Sequence, residues 1–262
     1  MSDYMFMLES HLSPDQNRVV AEVQAAASAA NVNLFLTGGA MRDMLGGFQI
    51  RDLDFTVEGN AVKLGKGLAV KSRAQIASLD EYRGSVELLF EGNVTAEIRM
   101  ARKERFTKPG VRPFVTPGTI QEDLRRRDFT INAIALSLNR ASKGLLLDPM
   151  NGLAEIGRRE LRALSSTAFF DDPSRLLRLV RFRIRLGYAV EERTLTQFEN
   201  AREANVQQHI SRRALCEELK HIAGEPNASE LVRALEQGGL LALYSPAFAG
   251  AKLNYAGLTK LE

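Results

Sequence analysis

The spacing of apolar residues changes once along the chain, near residue 165, and this change restricts the possible folds more than any other feature. Before it, short apolar runs and alternating segments typical of β-strands are interspersed with helical segments. From Asp172 onward every segment has helical spacing and none alternates. We therefore predict an α+β protein, in which a domain with a small mixed sheet is followed by an all-α region.

The composition excludes several kinds of functional site. With a single cysteine, Cys216, the chain forms neither an internal disulfide framework nor a cysteine-based zinc site. Its three histidines, His11, His209 and His221, are scattered, which argues against a histidine-based metal centre or a Ser-His-Asp triad. Any bound metal is therefore expected to be a hard ion such as Mg²⁺, held by carboxylates.

Charge and hydropathy indicate a soluble globular protein. The 262 residues include 35 Lys and Arg against 32 Asp and Glu, a net charge of +3, and 45% are hydrophobic. No apolar run approaches the roughly 20 residues of a membrane span, and the acidic N-terminus lacks the layout of a signal peptide. We expect a cytoplasmic protein with no membrane partner, and the sequence leaves its oligomeric state open.

Local signals predict the elements of the first domain. Ser13 followed by Pro14 is typical of a helix N-terminus, and this helix is expected to run to about Ala30. The proline- and glycine-bearing stretch 106–118 is expected to be a flexible loop. The segment DLRRRDFTINAIALSL begins as a helix, and its second half fits either a helix or a strand. The predicted strands are Asn33–Thr37, Arg51–Val57, Ser85–Phe90 and Val94–Met100.

Two aspartates lie on one face of the predicted strand RDLDFTV. Asp52, Asp54 and Thr56 share that face because side chains alternate along a strand. Residues two apart lie about 6.6 Å apart at Cα, so the two carboxylates can bracket divalent ions ~3.5–4 Å apart, as in two-metal phosphoryl transfer. The alternative interpretation is an edge strand that exposes two surface acids to solvent.

A glycine pair precedes this strand and is typical of a phosphate-binding turn. Gly38 and Gly39 end a buried strand and open a helix, whose N-terminus offers free N–H groups to a phosphate. Arg42, one turn later, can add a charge-assisted contact. The pattern matches neither G-x-G-x-x-G nor a Walker A sequence, and Gly-Gly alone is often a simple turn. Together with the aspartates it favours a phosphoryl-transfer site.

A helix rich in arginine is predicted from Asp172 as N-cap and Pro173 as first residue to about Leu186. At 100° per residue four arginines share about 120° of its surface, with apolar residues on both sides. Such a stripe predicts a polar cleft, since buried guanidinium groups need partners: carboxylates, or a triphosphate and a base. A structural ion-pair network is the alternative. The stripe consists of Arg175, Arg178, Arg181 and Arg185.

Four segments in order resemble the motifs of class II tRNA CCA-adding enzymes and bacterial poly(A) polymerases. They are LTGGAMRDMLGG with RDLDFTV, DLRRRDFTINAIAL, DPMNGLAEIGRRELRAL and DDPSRLLRLVRFRIRLGY, over about residues 34–190, with weaker likeness to about 246. We expect an N-terminal helix over 1–30, and the resemblance implies a nucleotidyltransferase head over 31–165, a helical neck over 166–226 and the start of a helical body over 227–262.

The resemblance also implies roles for the residues of the head. Asp52 and Asp54 would hold two Mg²⁺ ions and carry catalysis, and Glu97 lies where many members have a third carboxylate. Asp128 would contact the ribose 2′-hydroxyl and thus favour NTP over dNTP. The implied contacts to the triphosphate or the rest of the nucleotide are Gly38, Gly39, Arg42, Arg127 and Asn132.

The fourth motif implies a protein template for the incoming base. It reads Asp-Asp-Pro-Ser-Arg here, with Asp instead of the family's Glu at its first position, and keeps the template pair Asp172 and Arg175. Adenine and cytosine both present an amine donor beside a ring-nitrogen acceptor, which suit a carboxylate and an arginine. Guanine and uracil present the reverse pattern. Asp172 as a mere helix cap is the alternative, and Arg178 and Arg181 are expected to hold phosphate or stack in the pocket.

The resemblance implies addition of CMP and AMP, from CTP and ATP, to the 3′ end of tRNA with release of pyrophosphate. Alternatives are a poly(A) polymerase, an A-only or CC-only tRNA enzyme, or a non-catalytic RNA-binding relative, although a pure binder needs no metal pair. Members of this family usually continue through a longer helical body and tail. We therefore expect either a short member or a shortened chain, and a net charge of +3 is modest for a tRNA partner.

Overall fold

The computed structural model describes residues 3–250 and 252–259, which divide into two compact units. The first unit runs up to Arg105 and includes Phe114–Arg158; the second consists of Phe106–Pro113 and the chain from Arg159 onward. The division thus falls before the predicted boundary at 165, and the segment 106–113 belongs to the second unit. The further division into neck and body at 226 stays a prediction.

A seven-stranded mixed sheet forms the centre of the first unit, in the order β3-β4-β5-β2-β1-β8-β9. β2 and β5 are parallel and the other neighbours are antiparallel. The α+β class is therefore confirmed. Its strands are β1 (Asn33–Thr37), β2 (Leu53–Glu58), β3 (Gln75–Asp80), β4 (Ser85–Phe90), β5 (Val94–Met100), β8 (Ala135–Ser137) and β9 (Leu146–Leu147).

Three of the predicted strands have the predicted bounds. The fourth begins later than predicted, and the structure contains further strands that were not predicted. The strand expected to begin at Arg51 begins at Leu53, so Asp52 directly precedes it. The sequence does not predict the edge strand β3. Its residues are exposed on both faces of the sheet, so burial imposes no clear apolar alternation on this segment. The expected loop 106–118 ends in a strand that forms a hairpin with the segment before it, β6 (Arg102–Arg105) with β7 (Phe114–Pro117).

Among the described residues, six α-helices belong to the first unit, and the longest begins where the sequence predicts. The Ser13 side chain accepts a hydrogen bond from the Gln16 N–H at 3.2 Å, and the Gln16 side chain accepts one from the Ser13 N–H at 2.9 Å, which closes a capping box. The helices are α1 (Asp3–His11), α2 (Pro14–Ala29), α3 (Gly38–Leu45), α4 (Ala61–Ser72), α5 (Ile120–Arg125) and α6 (Gly152–Arg158).

One face of the sheet is apolar and buried, because α2 and α4 pack against it. In β2 it carries Leu53, Phe55 and Val57, each 0% exposed. The helix α4 approaches this face so closely that a Cβ on Gly65 would lie 2.1 Å from Cγ1 of Val86. The opposite face holds the polar side chains of the same strands, so period-two alternation separates the core from the polar residues.

The second unit is helical, apart from a two-stranded parallel pair, β10 (Glu160–Leu161) with β11 (Ala189–Val190). The expectation that only helices follow Asp172 is therefore wrong at β11, which is too short to show alternation. One core cluster of this unit consists of six buried apolar residues: Leu177, Ile222, Leu231, Leu235, Leu240 and Leu241. Its helices are α7 (Ala168–Asp171), α8 (Arg175–Leu186), α9 (Glu192–Glu203), α10 (Arg212–Ala223), α11 (Ala228–Gln237) and α12 (Tyr255–Thr259).

Within residues 3–250 and 252–259, no helix combines the length and apolar character needed to cross a membrane.

The contact between α4 and the sheet predicts that substituting alanine for two glycines of α4 changes the free energy of unfolding by unequal amounts. Gly65→Ala forces a methyl group into Val86 and should lower the free energy of unfolding by about 2 kcal/mol. Gly67→Ala is the matched control, since a Cβ there meets no described atom within 4 Å and alanine favours the helix. Urea unfolding followed by circular dichroism measures both; equal stabilities would contradict the packing described for α4.

Candidate functional site

The turn between β1 and α3 is built from two glycines, which place no side chain beside the backbone. Gly38 has a φ of +64°, a left-handed conformation that favours glycine. A Cβ there would also lie 3.1 Å from Nη1 of Arg127 and 3.2 Å from Oδ2 of Asp54. On Gly39 it would lie 3.0 Å from the same Asp54 oxygen. The missing side chains therefore allow a carboxylate and a guanidinium to approach the start of α3.

Asp54 reaches this turn from the middle of the sheet. β2 lies between β5 and β1, which excludes the alternative of an exposed edge strand. Oδ2 of Asp54 accepts a hydrogen bond from the Gly39 N–H at 2.9 Å. Beside it, the buried hydroxyls of Thr37 and Thr56 are hydrogen-bonded at 2.9 Å. Strand alternation predicts Thr56 on the carboxylate face but assigns it no role, and the structure shows that its hydroxyl links β1 to β2.

Asn132 connects the remaining predicted residues of the first unit. Its Oδ1 accepts a hydrogen bond from Nη1 of Arg42 at 2.9 Å, and its Nδ2 donates to Oδ1 of Asp128 at 2.9 Å. Its backbone carbonyl accepts from Nη1 of Arg127 at 3.0 Å. Arg42 is 3% exposed and also pairs with Asp43, between Nη2 and Oδ1, at 2.7 Å. The structure thus joins Arg42, Arg127, Asp128 and Asn132 in one buried network.

Asp123 is a site residue that the sequence analysis missed. Its carboxylate pairs with Arg127, Nη2 to Oδ2 at 2.8 Å, and with Arg126. Burial raises the pKa of Asp123, but the two guanidinium groups lower it more, to about 2. The spacing of three and four residues within the DLRRR segment was the available signal. Asp123 holds Arg127 in position beside the glycine turn.

Asp52 and Asp54 have the oxygen donors that a hard divalent cation prefers. Asp52 is exposed and Asp54, two residues later in the chain, is half-buried. Glu97 on β5 is the Cα partner of Asp54 in the parallel pair, so the two side chains share one face. The carboxylate of Glu97 is, however, ion-paired with Arg99. Among the described residues, no group of three or more acidic, histidine or cysteine side chains is arranged to hold a metal. Asp52 and Asp54 thus offer the type of oxygen ligand that Mg²⁺ prefers, whereas the carboxylate of Glu97 is paired with Arg99.

The predicted base template lies in the second unit. Oδ1 of Asp172 accepts hydrogen bonds from the Ser174 N–H at 3.1 Å and the Ser174 hydroxyl at 2.6 Å. Asp172 thus caps the turn before α8, and the α-helix itself begins at Arg175, two residues later than predicted, because i to i−3 bonds form the first turn. Arg175 is buried, and its Nη1 donates to the Ala168 carbonyl at 3.3 Å.

Carboxylates of the second unit pair with the rest of the arginine stripe. Arg181 donates to both oxygens of Glu218, from Nε at 2.9 Å and from Nη2 at 3.2 Å, and Arg178 lies 3.5 Å from Glu218. Arg185 lies 3.5 Å from Glu225. The partners come from α10 and just beyond it, at positions that helical spacing in α8 does not reveal. This arrangement is the structural ion-pair alternative, so a nucleotide role for Arg178 and Arg181 stays a prediction.

The chain is similar in sequence to one protein family and to several tRNA nucleotidyltransferases. Residues 34–162 match the family described as the poly A polymerase head domain. The chain is 37% identical over 194 residues to an A-adding tRNA nucleotidyltransferase of Halalkalibacterium halodurans, covering 74% of this chain and 45% of that protein. It is 33% identical over 237 residues to a CC-adding tRNA nucleotidyltransferase of Deinococcus radiodurans, covering 87% of this chain and 62% of that protein.

A solved structure is similar over most of this chain. A tRNA nucleotidyltransferase complexed with a primer tRNA and an incoming ATP analog is 32% identical, with a TM-score of 0.70, over 91% of this chain and 66% of that chain. The chain spans 45% and 62% of the length of the two relatives above, so their full length includes regions that it does not match.

The pKa of Asp123 predicts a specific loss of stability in acid. Because its pKa is about 2 in the folded chain and 3.8 in the unfolded reference, the pairing stabilises the fold above pH 4, by about 2 kcal/mol. This contribution is lost as the pH falls from about 4 to 2. The free energy of unfolding of Asp123→Asn should therefore fall less steeply over this range than that of the wild type. Asp15→Asn, with a carboxylate that is 52% exposed, is the control and should keep the wild-type slope.

Proposed function

The chain belongs, through residues 34–162, to the poly A polymerase head-domain family, and from this premise we propose that it is a tRNA nucleotidyltransferase. It would add CMP and AMP, from CTP and ATP, to the 3′ end of tRNA without a nucleic-acid template. The observation that carries the proposal is the close approach of Asp54 and Arg127 to the Gly38–Gly39 turn, which has no side chain of its own. This arrangement supports the proposal because a carboxylate suited to a metal ion lies beside backbone and guanidinium groups suited to a triphosphate.

The triphosphate would lie at the start of α3. The peptide dipoles of a helix favour an anion at its N-terminus, and glycine has no side chain to block the approach of a phosphate. Arg42 and Arg127 supply positive charge beside them, held in place by Asn132 and Asp123. Since their positions are fixed before the nucleotide arrives, little side-chain entropy is lost on binding.

Asp52 and Asp54 are the proposed catalytic carboxylates and would hold Mg²⁺. Two bound Mg²⁺ ions would make the RNA 3′-hydroxyl more acidic and neutralise charge on the triphosphate and the leaving pyrophosphate. Asp54 is oriented for this role by the Gly39 N–H, which fixes its Oδ2. Asp52, directly before the same strand, supplies a carboxylate that is exposed to solvent.

The ribose and the base would be recognised by separate groups. Asp128 is proposed to accept a hydrogen bond from the ribose 2′-hydroxyl, and Asn132 orients its Oδ1. Asp172 would accept from the amine of cytosine or adenine while Arg175 donates to the ring nitrogen. Oδ1 of Asp172 is engaged by Ser174, and among the described residues Oδ2 has no hydrogen-bond partner, so capping and base recognition are compatible.

A narrower specificity is the second candidate. The two relatives compared above are named as A-adding and CC-adding enzymes, so an enzyme that adds only A or only CC fits the same head domain. A poly(A) polymerase would extend unrelated RNA with ATP alone.

Primer extension distinguishes these activities. The enzyme is given tRNAs that lack CCA, CA or A, with each NTP alone and with CTP and ATP together. Restoration of CCA on the shortest tRNA supports the proposal. Extension of only one class of tRNA indicates the A-only or CC-only enzyme, and long A-tails on unrelated RNA would exclude tRNA-specific addition.

In the same assay, Asp52→Ala should reduce incorporation at least about 10³-fold, since the variant loses a metal ligand rather than an RNA contact. Its affinity for tRNA, measured by filter binding, should change less than about threefold. The control is Glu81→Ala, which removes a side chain that is 69% exposed. Full activity of Asp52→Ala would reject the proposed catalytic pair.

Nucleotide binding depends on the bare backbone at Gly38. Gly38→Ala places a methyl group against Asp54 and Arg127 and should weaken ATP binding at least about tenfold, measured by calorimetry. Gly47→Ala is the matched control, because its φ of +74° imposes a similar backbone strain while a Cβ there meets none of the described atoms within 4 Å. An equal loss of ATP binding in both variants would assign the effect to strain rather than to the site.

A further inference from the structure

Arg99 lies between two carboxylates of the proposed site, and the sequence analysis gave it no role. It follows Glu97 by two residues on β5, so both side chains point to the same face of the sheet. The parallel register sets Glu97 opposite Asp54 and Arg99 opposite Thr56. Nη2 of Arg99 ion-pairs with Glu97 and also lies 3.5 Å from Oδ1 of Asp54. One guanidinium therefore bridges the two strands through their carboxylates.

This bridge engages the second oxygen of Asp54. Oδ2 accepts the Gly39 N–H at 2.9 Å, and Oδ1 faces Arg99. A metal ion that is ligated through Oδ1 and approached by Glu97 would stand close to where the guanidinium lies. Two positive charges in that space repel each other, so one of them must withdraw.

Arg99 is positively charged and partly exposed to solvent, so it can compete with a cation for these carboxylates and can also move away from them. Burial lowers the pKa of Arg99, but Glu97 and Asp54 raise it more, so the guanidinium stays protonated. Its side chain is 35% exposed, against 17% for Asp54, which leaves a route by which the long side chain can turn toward solvent.

We propose that Arg99 is a positioning residue that competes with divalent cations for Asp54 and Glu97 and thereby weakens metal binding by the nucleotide-free enzyme. The inference rests on the proposed metal site at Asp52 and Asp54. In this arrangement Glu97 is a partner of Arg99 in the absence of metal and becomes available to a cation only when Arg99 withdraws. Metal affinity is thus set by a residue that is itself no ligand.

Manganese titration of the full chain without nucleotide tests the proposal. Free Mn²⁺ is measured by electron paramagnetic resonance at constant ionic strength. Arg99→Ala should bind Mn²⁺ on the order of tenfold more tightly than the wild type, since one positive charge is removed next to the carboxylates in a partly solvated site. Arg99→Met keeps the apolar stem of the side chain and should show the same gain. Arg99→Lys keeps the charge and should stay within about threefold of the wild type.

The control variant is Arg83→Ala, which removes an arginine of similar exposure, 41%, whose carboxylate partner is Asp80. Its affinity for Mn²⁺ should equal that of the wild type. Equal or weaker binding by both Arg99→Ala and Arg99→Met would overturn the proposal and leave Arg99 as a link between strands. Absence of Mn²⁺ binding in every variant would overturn it as well.

The outcome for Arg99 is separate from that of the proposed function. If wild-type enzyme extends tRNA and Asp52→Ala does not, the function holds whatever the titration of the Arg99 variants shows. If no NTP is incorporated by the wild type, the proposed function fails, while the Mn²⁺ titration still measures the competition at Asp54 and Glu97.

Discussion

The antiparallel pairing of β1 with β2 is the constraint on which the candidate site depends. It sets Thr37, the last residue of β1, beside the start of β2, so the Asp54 carboxylate meets the first N–H groups of α3. The hydrogen bond between the Gly39 N–H and Asp54 fixes both the carboxylate and the turn. A one-residue change of register would move Asp54 to the apolar face that α2 and α4 cover, and the site would be lost.

In both units, buried arginines are ion-paired with carboxylates of the same unit. In the first unit Asp43 and Asp123 hold Arg42 and Arg127, and in the second unit Glu218 pairs with Arg181. Such pairs cost desolvation and add little to stability by themselves, but removing one partner leaves a buried charge uncompensated. Their consequence in the first unit is preorganisation, because the guanidinium groups beside the glycine turn have fixed positions without a ligand. Arg99 differs from them, since it is partly exposed and bridges two carboxylates that a cation also suits.

Much of the first unit could be predicted from the sequence. The strands β1, β4 and β5 have the predicted bounds because each combines a short apolar or alternating run with clear ends. The helix α2 begins where Ser13 and Pro14 predict. The exposed edge strand β3 and the hairpin strand β7 were missed, since an element that buries little leaves no periodic signal. The partners of the arginine stripe were missed because Glu218 lies more than 30 residues away and meets Arg181 only through the folding of α10 onto α8.

The sequence by itself determined the residues of the candidate site: two aspartates two positions apart, a glycine pair before a helix and, through the family resemblance, Arg127, Asp128 and Asn132. The aspartates and the glycines are local patterns, because local spacing fixes which side chains share a strand face or a helix start. The tertiary structure decided which of them meet, that Asn132 joins Arg42 to Asp128, and that Glu97 faces Arg99. Those contacts depend on strand order and register, which arise from burying one face of the whole sheet rather than from any single segment.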